Sequence, residues 1–318
     1  MLRLHCFPFT AMGSPCMLQL YARKRLEAKR IAALAMAEVR RLEARYSRYR
    51  PDSVLSAINR TAADGGTITV DAETAQLLNY AHVCYRQSDG LFDISSGLLR
   101  QAWDFHSSRL PEPSQINRLL NRVGWHKIDW CEPLLAFPVP GMELDFGGIG
   151  KEYAADRAAA LCLKHGIAHG LIDLGGDIKI IGPHPDGSPW QVGIRHPRHP
   201  NTVMARIPIH HGGIASSGDY ERFMMVGGRR YSHLLDPETG WPVHGVCTVT
   251  VVAEHCLVAG SACTIAMLKG ERGPAWLEVS GFHALWMDHK RKIGETRRAG
   301  SRLTPVSNEP SGFSTSQR

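Results

Sequence analysis

Helix-forming and strand-forming segments are segregated along this chain of 318 residues. Apolar residues recur at helical spacing over 24–46, and further helical patterns cover 54–60, 71–87 and 114–122. Beyond Gly166 the segments are mostly strand-like. The regular alternation of strands and helices that builds a doubly wound parallel sheet does not occur. This order predicts an α+β fold with helices early and a mixed or antiparallel sheet later.

The strand-like half ends in a short helical region and a tail. The first strand candidate is 16–22. The later ones are 170–174, 178–181, 190–194, 203–210, 231–235, 246–252 and 282–287, with helices predicted at 256–268 and 274–280. We therefore predict one domain over residues 1–288. The segment 289–318 is rich in Ser, Pro, Arg and Glu and is predicted to be a basic, disordered tail.

The basic charge of the chain is concentrated in that tail. The formal net charge is +7, but the residues from Lys290 onward include seven basic and two acidic side chains. The body therefore carries only about +2. No basic element interleaved with aromatic residues is evident, which argues against a nucleic-acid partner.

Cysteine usage and the N-terminus predict a reducing, cytoplasmic setting. None of the eight cysteines forms a C-x-x-C pair, and Cys84 and Cys162 fall in apolar helical patterns typical of buried thiols. Pro8 and His5 interrupt the apolar run at the N-terminus, so a signal peptide is not expected. No stretch is long and apolar enough to predict a membrane-spanning segment.

The segment DFGGIGK (145–151) carries the first chemical signal. An apolar strand-like run ends at Asp145, glycines follow, and a helix begins. Glycines and the free amides of a helix start favour a phosphate, and Lys151 could neutralise its charge. Glu152 follows Lys151 where a Walker A loop has Ser or Thr. An ordinary strand-to-helix turn with a surface lysine explains this segment alone equally well.

Three later loops are also rich in glycine and polar residues. They are LIDLGGDIKIIG (171–182), GGIASSGDYERF (212–223) and RRYSHLLDPETGWPV (229–243). The first is typical of a hairpin. The third places His233, Asp236 and Thr239 around a Pro–Gly turn, where turn chemistry alone accounts for most such residues.

Taken together and in this order, the segments resemble the FAD:protein FMN transferase family, also called the ApbE family. The resemblance rests on AMGS (11–14), SRYRPDSVLSAIN (47–59), GLFDISSG (90–97), DFGGIGKEYAAD (145–156), LGGDI (174–178), SSGDYERF (216–223), HLLDPETGWPV (233–243) and AGSACTIAMLKG (259–270). It covers about residues 9–288 and implies a flavin-transferase-type α+β fold with one FAD site.

The resemblance also implies cofactor contacts. Met12 and Tyr49 match positions at the flavin end, where an aromatic ring can stack on the isoalloxazine. The other matching positions are Leu91, Phe92, Asp93, Asp145, Lys151 and, through its backbone, Leu234. A lysine suits the diphosphate of FAD.

The implied reaction is phosphoryl transfer with Mg²⁺. A Ser or Thr hydroxyl of an acceptor protein attacks the FMN-side phosphorus of FAD, and AMP leaves. His233 is the candidate to orient the phosphate or accept the hydroxyl proton. The resemblance assigns the metal to the backbone carbonyl of Gly148 and to Thr264, together with an Asp one helical turn before Thr264.

That Asp position is occupied by Gly260, which supplies no oxygen ligand from a side chain. Glu152 stands where the family usually has a small residue. The carboxylate of Glu152 could supply the negative charge that is missing at residue 260. Asp219 and Asp236 are the other candidates for this charge. Three functions stay open: a transferase, an enzyme that only hydrolyses FAD to FMN and AMP, and a flavin-binding protein with reduced or lost activity.

Overall fold

The computed structural model describes residues 1–105, 107, 109–296 and 304–305, and these contain seven α-helices and sixteen strands. The helices are α1 (Arg25–Tyr46), α2 (Val54–Asp64), α3 (Ala72–Gln87), α4 (Pro113–Leu120), α5 (Gly150–Lys164), α6 (Cys256–Leu268) and α7 (Gly273–Val279). The strands are β1 (Arg3–Ala11), β2 (Ser14–Ala22), β3 (Thr67–Thr69), β4 (Asp129–Cys131), β5 (Leu134–Ala136), β6 (Gly170–Leu174), β7 (Asp177–Gly182), β8 (Trp190–His196), β9 (His199–Ile209), β10 (Gly212–Gly218), β11 (Phe223–Val226), β12 (Arg229–Ser232), β13 (Val246–Ala253), β14 (His283–Asp288), β15 (Ile293–Thr296) and β16 (Thr304–Pro305).

Eight of the strands form one sheet in the order β1-β2-β6-β7-β10-β13-β14-β15. Every neighbouring pair in it is antiparallel. Three smaller sheets join β8, β9 and β16, then β11 and β12, then β3, β4 and β5. The α+β prediction is confirmed, and the large sheet is antiparallel rather than mixed.

The large sheet is covered on both faces. Alternation along β6 turns Ile172 toward the core shared with α1 and α5, and turns the adjacent Leu171 toward the opposite face. The β8–β9 hairpin packs on that opposite face through Trp190 and Ile207. Helices therefore lie on one side of the sheet and a hairpin on the other.

The first strand, β1, was not predicted from the sequence, which placed the first strand at 16–22. It is an edge strand, and Pro8 lies opposite Met17 in its ladder with β2. Proline lacks an N–H donor, so it is accepted at the edge of a sheet and not at its centre. The turn to β2 consists of Met12 and Gly13, both with positive φ, +52° and +68°.

The prediction of a disordered segment from residue 289 is wrong for its first part. Residues 293–296 form β15, which pairs with β14 and is an edge strand of the large sheet. Thr304 and Pro305 pair with β9. The rest of the predicted tail, 297–303 and 306–318, lies outside the described residues.

Two helices bring the motifs of the sequence together. Helix α5 begins directly after the glycine turn at 145–149 and packs against α1, α6 and β7. Helix α6 packs against α5 and against β10 and β13 of the large sheet. The start of α5, the start of β7 and the middle of α6 thus approach one another.

Candidate active site

The glycine turn before α5 is held by two hydrogen bonds and by the Phe92 ring, which packs against it. The Asp145 amide donates to the Ile94 carbonyl at 2.8 Å, and the Gly147 amide donates to Asp145 Oδ1 at 2.9 Å. A Cβ at residue 148 would lie 3.3 Å from Cζ of Phe92. Glycine at 148 therefore lets the Phe92 ring lie directly against the turn.

Arg48 links this turn to the flavin-end candidate Tyr49. Its guanidinium forms an ion pair with Asp145 and donates from Nη2 to the Tyr49 hydroxyl at 2.9 Å. That hydrogen bond lowers the pKa of Tyr49. Tyr49 is 77% exposed, so a planar ligand could stack on its ring. Arg48 was not predicted from the sequence, and Asp145 turns its carboxylate toward protein partners.

Met12 lies in a backbone conformation that is unusual for its residue type. Its φ of +52° is left-handed, which costs a residue with a Cβ roughly 1–2 kcal/mol. Its amide donates to Glu43 Oε1 of α1 at 2.6 Å, and this bond helps to hold the turn. Strain of this kind is often kept where a side chain is needed for function.

The segment 91–93 is buried. Leu91 and Phe92 are both core residues. Asp93 accepts from Ser95 N and Oγ at 2.7 and 2.6 Å through Oδ1, and from Trp125 N at 2.8 Å through Oδ2. Burial raises the pKa of Asp93, and these donors oppose the shift. The Asp93 carboxylate therefore ties two loops together, and a cofactor contact at this residue would have to come from its backbone.

Lys151 is paired within the protein. Its Nζ lies 2.8 Å from Oδ2 of Asp177, the first residue of β7. Burial raises the pKa of Asp177, against the lowering effect of the Lys151 charge. The Lys151 side chain is 31% exposed, and an ammonium has three donors, so it can hold Asp177 and still meet a phosphate.

Glu152 and Gly260 touch. A Cβ built at residue 260 would lie 2.5 Å from both Cγ and Oε1 of Glu152, far inside a normal contact. The Glu152 side chain thus fills the place that a side chain on α6 would take. Burial, and after it the charge of Asp177, raise the pKa of Glu152 well above its ordinary value.

Thr264 lies one helical turn beyond Gly260 on α6. Residues at i and i+4 share a helix face, so Thr264 lies on the face that meets α5 at Gly260. Thr264 is partly exposed, whereas its neighbour Cys263 is buried. Cys263 donates to the Ala215 carbonyl of β10, so it faces the sheet.

His233 follows β12 and is held by one backbone carbonyl. The Arg222 carbonyl oxygen accepts from the His233 amide at 3.0 Å and from its Nδ1 at 3.1 Å. A proton on Nδ1 leaves the lone pair on Nε2, which is the arrangement that a base needs. Burial lowers the pKa of His233 and so favours the neutral ring.

The loop after His233 is a tight turn. The Val243 amide donates to the Leu234 carbonyl at 3.0 Å, and the Asp236 carboxylate accepts from the amides of Glu238 and Thr239 at 2.7 and 3.2 Å. Asp236 therefore stabilises its own turn, which argues against it as a substitute for the carboxylate missing at residue 260.

Asp219, the other suggested substitute, is already neutralised. Arg198 donates to both of its oxygens, at 2.6 and 2.7 Å. Cys247 and His289 lie nearby, and with Asp219 they could offer three metal ligands. Arg198 also lies 2.8 Å from Cys247 Sγ, so the guanidinium occupies the centre that a cation would need.

The structure thus joins the glycine turn, Lys151 and the middle of α6 at one junction, with Glu152 and Asp177 as its acids. The sequence had marked Glu152 as one candidate source of the charge missing at residue 260, and it had placed Asp177 in a hairpin. Arg48 could have been noticed, since it adjoins Tyr49 in the motif at 47–59. The eight cysteines are all free, and Cys84 and Cys162 are buried as predicted.

The fold and the junction define an α+β protein with a buried group of charges between a glycine turn and two helices. The model of the ApbE family matches residues 12–286, and the chain belongs to that family. The FAD:protein FMN transferase of Klebsiella pneumoniae (strain 342) is 30% identical over 312 residues, covering 96% of this chain and 95% of that protein. The FAD:protein FMN transferase of Salmonella typhimurium is 31% identical over 77% of this chain and 73% of its own length.

Solved structures agree with this assignment. The ApbE protein of Thermotoga maritima superposes with a TM-score of 0.85 at 29% identity, covering 92% of this chain and 97% of that one. The apo flavinyl transferase ApbE of Pseudomonas stutzeri gives 0.83 at 27% identity, with 93% and 96% covered. Within the described residues, none of the helices combines the length and the apolar character needed to cross a bilayer.

Proposed function

We propose that this protein transfers FMN from FAD to a Ser or Thr hydroxyl of an acceptor protein and releases AMP. The observation that carries the proposal is the match to a FAD:protein FMN transferase along almost the full length of both chains. The relatives named above carry transferase names, which favours transfer over the alternatives of FAD hydrolysis and flavin binding without turnover. A cytoplasmic location stays a prediction from the sequence.

In this proposal the FAD site extends from the β1–β2 turn to α5. Tyr49 stacks on the isoalloxazine, Met12 contacts its edge, and Leu91 and Phe92 support it. Lys151 donates to the diphosphate, and the Leu234 backbone contacts FAD from the opposite loop. The exposed Tyr49 ring and the strained Met12 turn support these roles.

The acceptor oxygen forms a bond to the FMN-side phosphorus, and the bond from that phosphorus to the AMP oxygen breaks. The hydroxyl proton passes to Nε2 of His233, and AMP leaves with the bonding electron pair. The Nδ1 bond to the Arg222 carbonyl supports this role, since it orients the ring and assigns its tautomer.

The residues at the junction suit Mg²⁺. The Gly148 carbonyl, the Thr264 hydroxyl and a carboxylate are all hard oxygen donors, which this ion prefers. Mg²⁺ would neutralise phosphate charge during the transfer. These residues would hold it, and Lys151 would share the charge of the diphosphate.

The proposed function is tested by incubating the protein with FAD, Mg²⁺ and candidate acceptor proteins, followed by mass spectrometry. Transfer adds the mass of an FMN group to the acceptor and releases AMP in equal amount. Free FMN with AMP would mean hydrolysis. Bound FAD without either product, for every acceptor tried, would leave a flavin-binding protein.

Replacing Met12 by asparagine is expected to weaken FAD binding with little effect on stability. Asparagine accepts a positive φ more readily than methionine, so Met12→Asn should keep the free energy of unfolding within about 1 kcal/mol of the original. It should weaken FAD binding about fivefold to tenfold, because apolar contact with the flavin is lost. Thermal unfolding and a fluorescence titration with FAD measure the two effects, and unchanged affinity would remove Met12 from the site.

A further inference from the structure

The contact between Glu152 and Gly260 is the most unusual feature of the junction. Helix α6 is well packed, yet it has a glycine near its middle, where glycine costs about 1 kcal/mol relative to alanine. The place of a side chain there is filled by Glu152 of α5, with 2.5 Å between a built Cβ and the glutamate Oε1. Even alanine at 260 would force the Glu152 side chain to move.

A hydrocarbon side chain could fill this space more cheaply than a carboxylate. Glu152 is only 7% exposed, and its Oε2 atom has no hydrogen-bond partner among the residues that the structure describes. A buried acid without a partner is strongly disfavoured unless something else satisfies it. The position therefore calls for a ligand that accepts lone pairs from a carboxylate.

The charges around Glu152 indicate a cation. After burial, the charge of Asp177 is the largest influence that raises the pKa of Glu152, and the Asp177 carboxylate is already paired with Lys151 at 2.8 Å. Asp156, on the next turn of α5, accepts from the amides of Cys256 and Leu257 at the start of α6. Lys151 thus pairs with Asp177, and the Glu152 carboxylate has no ion-pair partner among the residues that the structure describes.

The other ligand atoms near Glu152 also suit a cation. Thr264 offers a hydroxyl oxygen one turn beyond Gly260, and the glycine turn that precedes Glu152 offers backbone carbonyls. Cys263, the neighbour of Thr264 on α6, turns its sulfur toward the sheet. Carboxylate, hydroxyl and carbonyl oxygens select a hard divalent cation over zinc or copper.

We propose that the carboxylate of Glu152, reaching from α5 into the space left by Gly260, is the anionic ligand of the divalent cation at this junction. The proposal deepens the proposed function, since it names the residue that holds the metal in this chain. In this arrangement the Glu152 carboxylate on α5 replaces a carboxylate on α6. The absence of a side chain at Gly260 leaves room for it.

The test uses Mn²⁺ as the probe and measures its binding to the full chain by electron paramagnetic resonance, with and without FAD. Glu152→Gln keeps the shape of the side chain and removes its charge. We expect it to weaken Mn²⁺ binding about 10-fold to 100-fold, the range seen when groups that support a metal site are changed. Glu278→Gln, at an exposed glutamate of α7, is the matched control and should bind Mn²⁺ as the original does.

A second pair of variants covers the case in which Glu152→Gln does not fold. Glu152→Gly with Gly260→Asp moves the carboxylate to α6 and should restore most of the Mn²⁺ affinity. Gly260→Asp alone places two acids in one space and should lower the melting temperature. Glu152→Gln with unchanged Mn²⁺ affinity, or no Mn²⁺ binding by the original chain, would overturn the proposal.

These outcomes are independent of the acceptor protein. If FMN transfer fails with every acceptor but Glu152→Gln still loses Mn²⁺, the metal assignment holds and the proposed function does not. If transfer occurs and Glu152→Gln binds Mn²⁺ normally, the function holds and Glu152 is only a buried acid that fills space.

Discussion

Replacing His233 by asparagine is expected to slow FMN transfer by about 10²–10⁴-fold, the usual contribution of a positioned base. Asparagine keeps a hydrogen-bond donor for the Arg222 carbonyl but has no nitrogen that can take a proton. The affinity for FAD should stay within about twofold, because the ring is proposed to act on the acceptor hydroxyl. Transfer is measured as FMN added to the acceptor per unit time, and affinity by titration.

The pH dependence adds a readout that a structural role would not produce. Burial lowers the pKa of His233, the bond to the Arg222 carbonyl and the charge of Glu221 raise it, and the charge of Arg222 lowers it, with a net lowering. A base is active when neutral, so transfer should be constant near pH 7 and fall only below the ordinary histidine range. This acid limb should disappear in His233→Asn.

The control is His244→Asn, an exposed histidine beyond the same loop whose Nε2 lies 2.8 Å from Arg229 Nη2. It should transfer FMN at nearly the original rate. If both variants lose activity alike, the loop as a whole is damaged and the role of His233 as base is unsupported.

Local pattern predicted much of the fold. Helix α6 was predicted at its observed bounds, and α1 within one residue. Helix α1 is a long run of helix-forming residues, which makes its pattern clear. Asp71, where the predicted segment 71–87 begins, caps α3 by accepting from the amides of Glu73 and Thr74. Such features depend on residues close together in the chain.

The elements that were missed depend on distant partners. Strand β1 contains Pro8 and has an exposed face, so its own pattern is weak, and only pairing with β2 makes it a strand. Strand β15 is four residues long within a segment whose composition predicts disorder, and it forms on the edge that β14 provides. Composition does not report such an edge.

In the site, too, the sequence indicates individual residues but not the contacts between distant ones. The sequence indicated that an acid is missing at 260 and that an acid has been added at 152. The two positions are 108 residues apart, so only the packing of α5 on α6 shows that they touch. The pairs Arg48–Asp145 and Lys151–Asp177 were likewise invisible, because each joins a motif to another element through the fold.

The Lys151–Asp177 pair is expected to affect both FAD binding and stability. Lys151→Ala should weaken FAD binding or turnover about tenfold or more, since one charge-assisted contact to the diphosphate is lost. It should also reduce the free energy of unfolding by roughly 3 kcal/mol, because Asp177 stays buried without its cation. Removing one partner of a buried ion pair usually costs about 3–5 kcal/mol. The low end of that range applies here, because the Lys151 side chain is 31% exposed.

Two further variants separate these effects. Asp177→Asn alone removes the buried charge and leaves Lys151 free to meet the phosphate, so FAD should bind at least as tightly as before. In Lys151→Ala with Asp177→Asn, stability should largely recover, while the loss of FAD affinity should remain. Unfolding by urea and titration with FAD measure the two quantities on the same samples. If the double variant recovers both, Lys151 serves only to neutralise Asp177, and the diphosphate must be held by other groups at the start of α5.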